Sequence, residues 1–249
     1  MSNNPKVLIG VVTASQKDYC VEEFKQQLKD FSYDNYDVLI VDNSEDPSHI
    51  ETFKDFEVIH SSRLFEDNTR KRGNEMLAEC QNIVRARFLE GNYDYLFILE
   101  SDVFIDKDII QWGISYEAPV YTIAYPIKIA KYDAPSMCVQ FIHKLRKRGV
   151  KGSFMNTCML PPEITLPAVI KPLTEFKIGN NMHLTNTGLG CSIISRDVVE
   201  HLPFRIDMGN DLKTGNMTFS DTFFYADCLM KGIKVLFDNR LICKHIKNW

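Results

Sequence analysis

The nine residues from Tyr95 to Val103, YLFILESDV, form a near-continuous apolar run that breaks off at Glu100 and Asp102. A strand that is apolar at every position is covered on both faces, which is the situation of a strand in a parallel sheet with helices on each side. Such a strand tolerates no charge within the sheet. Its acids therefore belong at the C-terminal end, the edge at which open α/β sheets bind ligands. One short run thus points to a fold class and to the place where a site should lie.

The rest of the chain repeats this logic. KVLIGVVTA (6–14) reads as a first strand, and Val21, Phe24, Leu28 and Phe31 fall at helical spacing after it. YDVLIVDNS (36–44) reads as a second strand, and Asp46-Pro47 follows as helix cap and first helical residue, opening a short helix to about Phe56. EVIH (57–60) reads as a third strand. Met76, Leu77, Cys80, Ile83, Val84 and Phe88 form one stripe of a helix from about Arg72 to Glu90, closed by Gly91. A helix in DKDIIQWGIS and a strand in PVYTIAY (119–125) come next. Strands that alternate with helices imply right-handed crossovers and a mostly parallel sheet covered on both faces.

From 126 to about 185 prolines recur, at 126, 135, 161, 162, 167 and 172, with little sustained periodicity, so this segment reads as an irregular excursion. After it come LGCSIISRD, a helix in SDTFFYADCLMKG ending at Gly232, and IKVLFD as a last strand.

Composition narrows the class. With 249 residues, 45% hydrophobic and 25% charged, the chain is that of an ordinary globular protein. A net charge of −4 argues against a surface that traps nucleic acid all over, and leaves room for a local basic patch. Seven cysteines without a CxxC pair suit free thiols in a reducing, cytoplasmic compartment. No segment approaches the roughly 18 apolar residues that a membrane span requires.

Six positions carry candidate chemistry. Glu100 and Asp102, at i and i+2 of an extended chain, can converge on one cation or one polyhydroxyl ligand, or can simply end a strand in solvent. Hard oxygen ligands of this kind suit Mg²⁺ or Mn²⁺, and His245, close behind the last strand, is a plausible further ligand for Mn²⁺. In FSDTFFYADC, Ser220 can cap a helix and place Asp221 in its first turn, where an ionised carboxylate is favoured; Asp221 is then either a base or part of the cap. Asp42 ends its strand where a doubly wound sheet holds a base or ribose. Arg85, on the long helix, can meet a diphosphate or lie on a solvated face.

In this order, these pieces resemble a GT-A fold glycosyltransferase of the family 2 or Anp1-like kind, over about 1–125 and 186–249. VDNSED resembles the acidic turn after the second strand. NIVRARFLEGNYDYLFILESDV is similar to the helix, link and strand that end in D-x-D, here Glu-Ser-Asp. TGLGCSIISRDVVEHLPF resembles the glycine-containing acceptor loop with its helix, and SDTFFYADCLMKGIKVLFDN the helix that carries the base. The resemblance implies an α/β GT-A fold, Rossmann-like, with an irregular acceptor-side insertion. It implies a single catalytic domain over 1–249, divided into a nucleotide-sugar half (1–125), the insertion (126–185) and an acceptor half (186–249).

It also implies roles. Asp102 would bind Mn²⁺ or Mg²⁺ directly, Glu100 would contact ribose or a metal-bound water, and His245 would complete the ligands. Thr13 and Asp42 would hold the nucleoside of a nucleotide-sugar donor, a UDP-sugar being favoured, with Arg85 at the diphosphate or base. Asp221 would be the base of an inverting transfer. For the acceptor the residues say less: HKLRKRGVKG (143–152) carries Lys144, Arg146, Lys147, Arg148 and Lys151 without an acid. Such a run suits a phosphate-rich acceptor such as DNA with a hydroxymethylated base, or an anionic lipid surface, and equally a solvated loop. Saccharide, lipid or protein acceptors, and a binding module without catalysis, are the alternatives. A nucleotidyltransferase would carry a glycine-rich loop after the first strand, which VVTASQKDY lacks. A receiver domain would leave 186–249 without a purpose.

Overall fold

The computed structural model describes residues 4–61, 70–123, 126–127, 136–145, 152–160, 168–178, 182–206, 219–241 and 243–245; for 70–72, 126–127, 136–145, 152–160, 177–178, 182–186 and 245 the backbone alone is described. The first half alternates as the sequence implies: β1 (Val7–Thr13), α1 (Val21–Asp30), β2 (Tyr36–Asp42), β3 (Glu57–His60), α2 (Arg70–Glu90), β4 (Tyr95–Glu100), β5 (Val103–Phe104), α3 (Ile109–Ser115) and β6 (Val120–Ile123). Two 3-10 helices, Ser15–Cys20 and Pro47–Phe53, follow β1 and β2. The second is capped by Asp46, whose side chain accepts from Ser48 N–H, and it stops at Phe53, short of the expected Phe56.

The segment read as irregular contains strands. Its described residues form β7 (Pro126–Ile127), β8 (Ser136–Leu145), β9 (Gly152–Leu160), β10 (Ile170–Pro172), β11 (Lys177–Ile178) and β12 (Met182–Asn186). All but β10 join an antiparallel sheet in the order β11-β12-β8-β7, with β9 on β8. The chain then returns through β13 (Cys191–Ser195), α4 (Arg196–His201), α5 (Ser220–Met230), β14 (Val235–Asp238) and β15 (Lys244–His245).

The main sheet has eight strands in the order β10-β14-β6-β13-β4-β1-β2-β3. The pairs β14/β6, β4/β1, β1/β2 and β2/β3 are parallel, whereas β13 runs antiparallel between β6 and β4 and β10 antiparallel on β14. Period-two side chains feed two cores. Leu8, Leu39, Val41, Leu96 and Ile98 meet α2, α4 and α5 through Val84, Phe88, Val198 and Phe224. Val7, Ile9, Val11, Ile40, Phe97 and Leu99 meet α1 and α3 through Phe24, Leu28, Ile109 and Ile110. Each fully buried side chain of this kind contributes about 1.5–3 kcal/mol. Gly10 allows the close approach of α2 to β1, since a Cβ there would lie 2.2 Å from Val84 Cγ1. Among the described residues, no helix is long and apolar enough to cross a membrane.

Candidate active site

Register builds the carboxyl edge of the sheet. Thr13 lies beside Asp42, Val12 beside Glu100, and Asp42 beside His60, so the four parallel strands finish together. β13 enters the sheet from this same edge: Glu100 N–H donates to Gly190 O at 2.9 Å, and Cys191 pairs with Leu99. Asp238 ends β14 level with Ile123 of β6.

Thr13 and Asp42 are both buried here. Thr13 Oγ1 donates to Ser101 Oγ at 3.0 Å, and its carbonyl accepts from Asn43 N–H at 2.8 Å. Asp42 is enclosed by donors: Ser44 Oγ at 2.7 Å, Ser44 N at 3.3 Å, His49 Nδ1 at 2.8 Å and His60 Nδ1 at 3.2 Å. The far nitrogen of His49 lies 2.8 Å from Asp18 Oδ1. Burial disfavours the His49 cation, but hydrogen bonds to Asp18 and Asp42 outweigh it and raise its pKa above the ordinary 6.5. Asp42 therefore shapes the loop after β2, and any contact it has with a ligand runs through the groups around it.

Glu100 and Asp102 do not share one direction. The chain turns at Ser101 and Asp102, which cancels the extended i, i+2 geometry expected of them. Asp102 is fully buried, meets Lys17 Nζ in an ion pair and accepts from Tyr19 Oη at 3.1 Å. Glu100 lies over Gly190, where a Cβ would come within 2.5 Å of its Cδ. Its charge acts on Asp221.

Asp221 occupies the first turn of α5. The expected Ser220 cap is absent: Phe219 precedes the helix without a side-chain cap, and Ser220 is its first, buried residue. Asp221 Oδ1 accepts from Thr222 N–H at 2.6 Å and lies 3.3 Å from Thr222 Oγ1. Part of its surface remains open, yet it is packed closely enough that burial raises its pKa to about 7, with Thr222 opposing and Glu100 adding to the rise. Behind it, Tyr225 Oη lies 3.1 Å from Thr122 Oγ1 and 3.2 Å from Gly188 O, within hydrogen-bond reach of both, tying α5 to the loop before β13.

The other expected residues fall as follows. Arg85 is not at the edge: its Nε and Nη2 donate to Val199 O and Glu200 O, at 2.7 and 2.8 Å, and so clamp α4 near the amino ends of the strands. These bonds hold α2 against α4. The backbone of His245 in β15 pairs with Val103 in β5, next in sequence to Asp102. Lys144 pairs with Ser153 in the β8–β9 ladder, while Arg146, Lys147 and Arg148 lie outside the described residues. Among the described residues, no three His, Cys, Asp or Glu side chains gather to hold a metal ion. The side chain of His245, one of the three implied for Mn²⁺ or Mg²⁺, lies outside the described residues.

Lys17, Tyr19, His49, His60 and Gly190 belong to the edge without having been singled out in the sequence. His60 was findable, because it ends β3 as Asp42 ends β2. Lys17 was not, because its partner lies 85 residues away.

No protein-family model matches the sequence, and no curated protein matches it. Solved structures match it by fold. A mannosyltransferase from Pyrobaculum calidifontis, in complex with GDP-Man and Mn²⁺, matches 97% of this chain with a TM-score of 0.50 and 10% identity. TarS 1–349 of S. aureus, in complex with UDP-GlcNAc, matches 98% of it with a TM-score of 0.53 and 12% identity. The chain spans 57% and 60% of the lengths of those two proteins. With its doubly covered, mostly parallel sheet and one antiparallel strand inserted at the centre, the chain has an α/β fold of the GT-A type.

Proposed function

We propose that the chain is a glycosyltransferase of the family 2 or Anp1-like kind, a single catalytic domain that moves a sugar from a nucleotide-sugar donor to an acceptor hydroxyl. The observation that carries this reading is Asp221: a carboxyl at the ligand-binding edge, beside Glu100, with its pKa raised to about 7. A base with a pKa near the working pH combines an available ionised form with useful proton affinity. The acceptor O–H gives its proton to Asp221, its oxygen bonds to the anomeric carbon, and the bond from that carbon to the diphosphate oxygen breaks, its electron pair leaving with the diphosphate. Attack opposite the leaving group inverts the anomeric centre.

The donors in the complexes named above, GDP-Man and UDP-GlcNAc, support a nucleotide-sugar, and a UDP-sugar is the first to test. The basic run around Lys144, Arg146, Lys147 and Arg148 supports an anionic acceptor in a reducing, cytoplasmic setting. DNA with a hydroxymethylated base supplies both phosphates and a hydroxyl, and such a base would be flipped out of the duplex to react. Replacing Arg146 and Arg148 by Glu should abolish salt-sensitive DNA binding; unchanged binding removes DNA as the acceptor.

The decisive experiment is a thermal-shift screen of UDP-, GDP- and CMP-sugars. A donor at about 100 times its dissociation constant adds roughly 2.7 kcal/mol of stability. Asp221→Asn should keep that shift and lose transfer. A protein that no donor stabilises is not this enzyme.

A further inference from the structure

Asp102 is fully buried, and a buried carboxylate is tolerated only when it is paired or bound to a cation. The chain supplies that cation itself. The 3-10 helix Ser15–Cys20 leaves β1 directly and is pinned to both neighbouring strand ends: Ser15 N–H donates to Ser44 Oγ at 2.9 Å after β2, and Cys20 Sγ donates to Ser101 O at 3.5 Å after β4. Asp18 is fixed through His49 to Asp42. The short helix is thereby a bridge along the carboxyl edge, and from its middle Lys17 reaches Asp102, with Tyr19 on the same carboxylate oxygen. The Lys17 side chain is 35% exposed although its partner is 0% exposed.

An ammonium has three donors, and one carboxylate oxygen does not use them all. Lys17 is thus a cation with a fixed base and an open face, set between the ends of β1 and β4. We propose that Lys17 is the donor-site cation, contacting the diphosphate and taking the negative charge that builds on it as the glycosidic bond breaks. This inference rests on the nucleotide-sugar reading. Fixed positive groups aimed at developing charge need little reorganisation during the reaction, the source of their effect. Asp102 then acts as the positioning residue that orients Lys17, and a divalent ion at the same carboxylate would have to displace it.

The test measures binding of UDP and GDP, and of uridine and guanosine as phosphate-free controls, to the full chain by calorimetry in EDTA and again with Mn²⁺. The proteins are wild type, Lys17→Met and Lys17→Arg. In EDTA, Lys17→Met should weaken diphosphate binding roughly 10- to 100-fold, the effect of a lost charge-assisted hydrogen bond. Nucleoside binding should be unchanged, which shows that the variant is folded, and Lys17→Arg should recover most of the loss. Free Mn²⁺, counted by electron paramagnetic resonance, should bind Lys17→Met more tightly than wild type.

Diphosphate binding by Lys17→Met equal to wild type in EDTA, or wild-type binding only with Mn²⁺, overturns the inference and leaves the nucleotide-sugar reading standing. Absence of any diphosphate binding, with or without Mn²⁺, overturns both.

Discussion

Two aspartates at the carboxyl edge, Asp238 and Asp221, have pKa values displaced in opposite directions. Asp238 is the more deeply buried, at 0% exposure, and burial alone would raise it. Arg240 donates to it from Nε at 2.9 Å, Nη2 at 2.6 Å and the backbone at 3.0 Å, and Tyr121 Oη donates at 2.9 Å, so its pKa is held low. Asp221 has Thr222 as its recorded donor and Glu100 as a like charge nearby. Burial pushes both carboxyls upward; the donors of Arg240 and Tyr121 outweigh it at Asp238, whereas Thr222 does not outweigh it at Asp221. Asp238 is a closed ion pair that holds the end of β14, and Asp221 is poised to exchange a proton.

The comparison can be broken from either side. The largest effect is expected from Asp221→Asn, which should lower the transfer rate by about 10²–10⁴ while donor binding persists; a steady-state assay beside calorimetry checks it. Arg240→Ala, by stranding Asp238, should cost about 2 kcal/mol in urea denaturation, less than for a fully buried pair because Arg240 is 43% exposed. Tyr121→Phe should cost about 1 kcal/mol by the same measurement.

The smallest effects sharpen the comparison through pH. Transfer should rise with pH to half its maximum near 7, as Asp221 ionises, and Glu100→Gln should move that midpoint to lower pH because a like charge has been removed. Stability should follow the two aspartates in opposite senses. The folded pKa of Asp221 is raised, so its contribution is complete below the unfolded value of 3.8 and is lost as pH rises through about 7. The folded pKa of Asp238 is depressed, so its contribution is present above 3.8 and is lost in more acidic solution. Thermal melts of Asp221→Asn and wild type from pH 4 to 8 should therefore diverge toward the alkaline end, with the variant the more stable.

The legibility of the chain follows the range of the forces that fix it. β1, β2 and β4 were readable because burial on two faces favours a near-continuous apolar run, and EVIH, the edge strand, maps onto β3 residue for residue. The β8–β9 ladder was not, because SMCVQFIHKL and GSFMNTCML interleave polar and apolar residues without an unbroken apolar run, and the two strands pair with each other. At the site, Asp221 and Glu100 were legible as acids at element ends. The pairing of Lys17 with Asp102 was not, nor was the hold of Arg85 on α4, because an arginine on a helix face looks the same whether it meets a ligand or a neighbouring helix. Side chains committed to partners far along the chain leave no local pattern to read.

The insertion of β13 between β6 and β4 has a consequence for the order of events during synthesis. Thr122 Oγ1 of β6 donates to Cys191 O, 69 residues further on, and until that segment emerges β4 and β6 each present an unpaired edge. The nascent first half would be sticky rather than dormant. Glu100 would lack Gly190 and Asp221 beside it, so the fold withholds a complete carboxyl edge until the last quarter of the chain has been made.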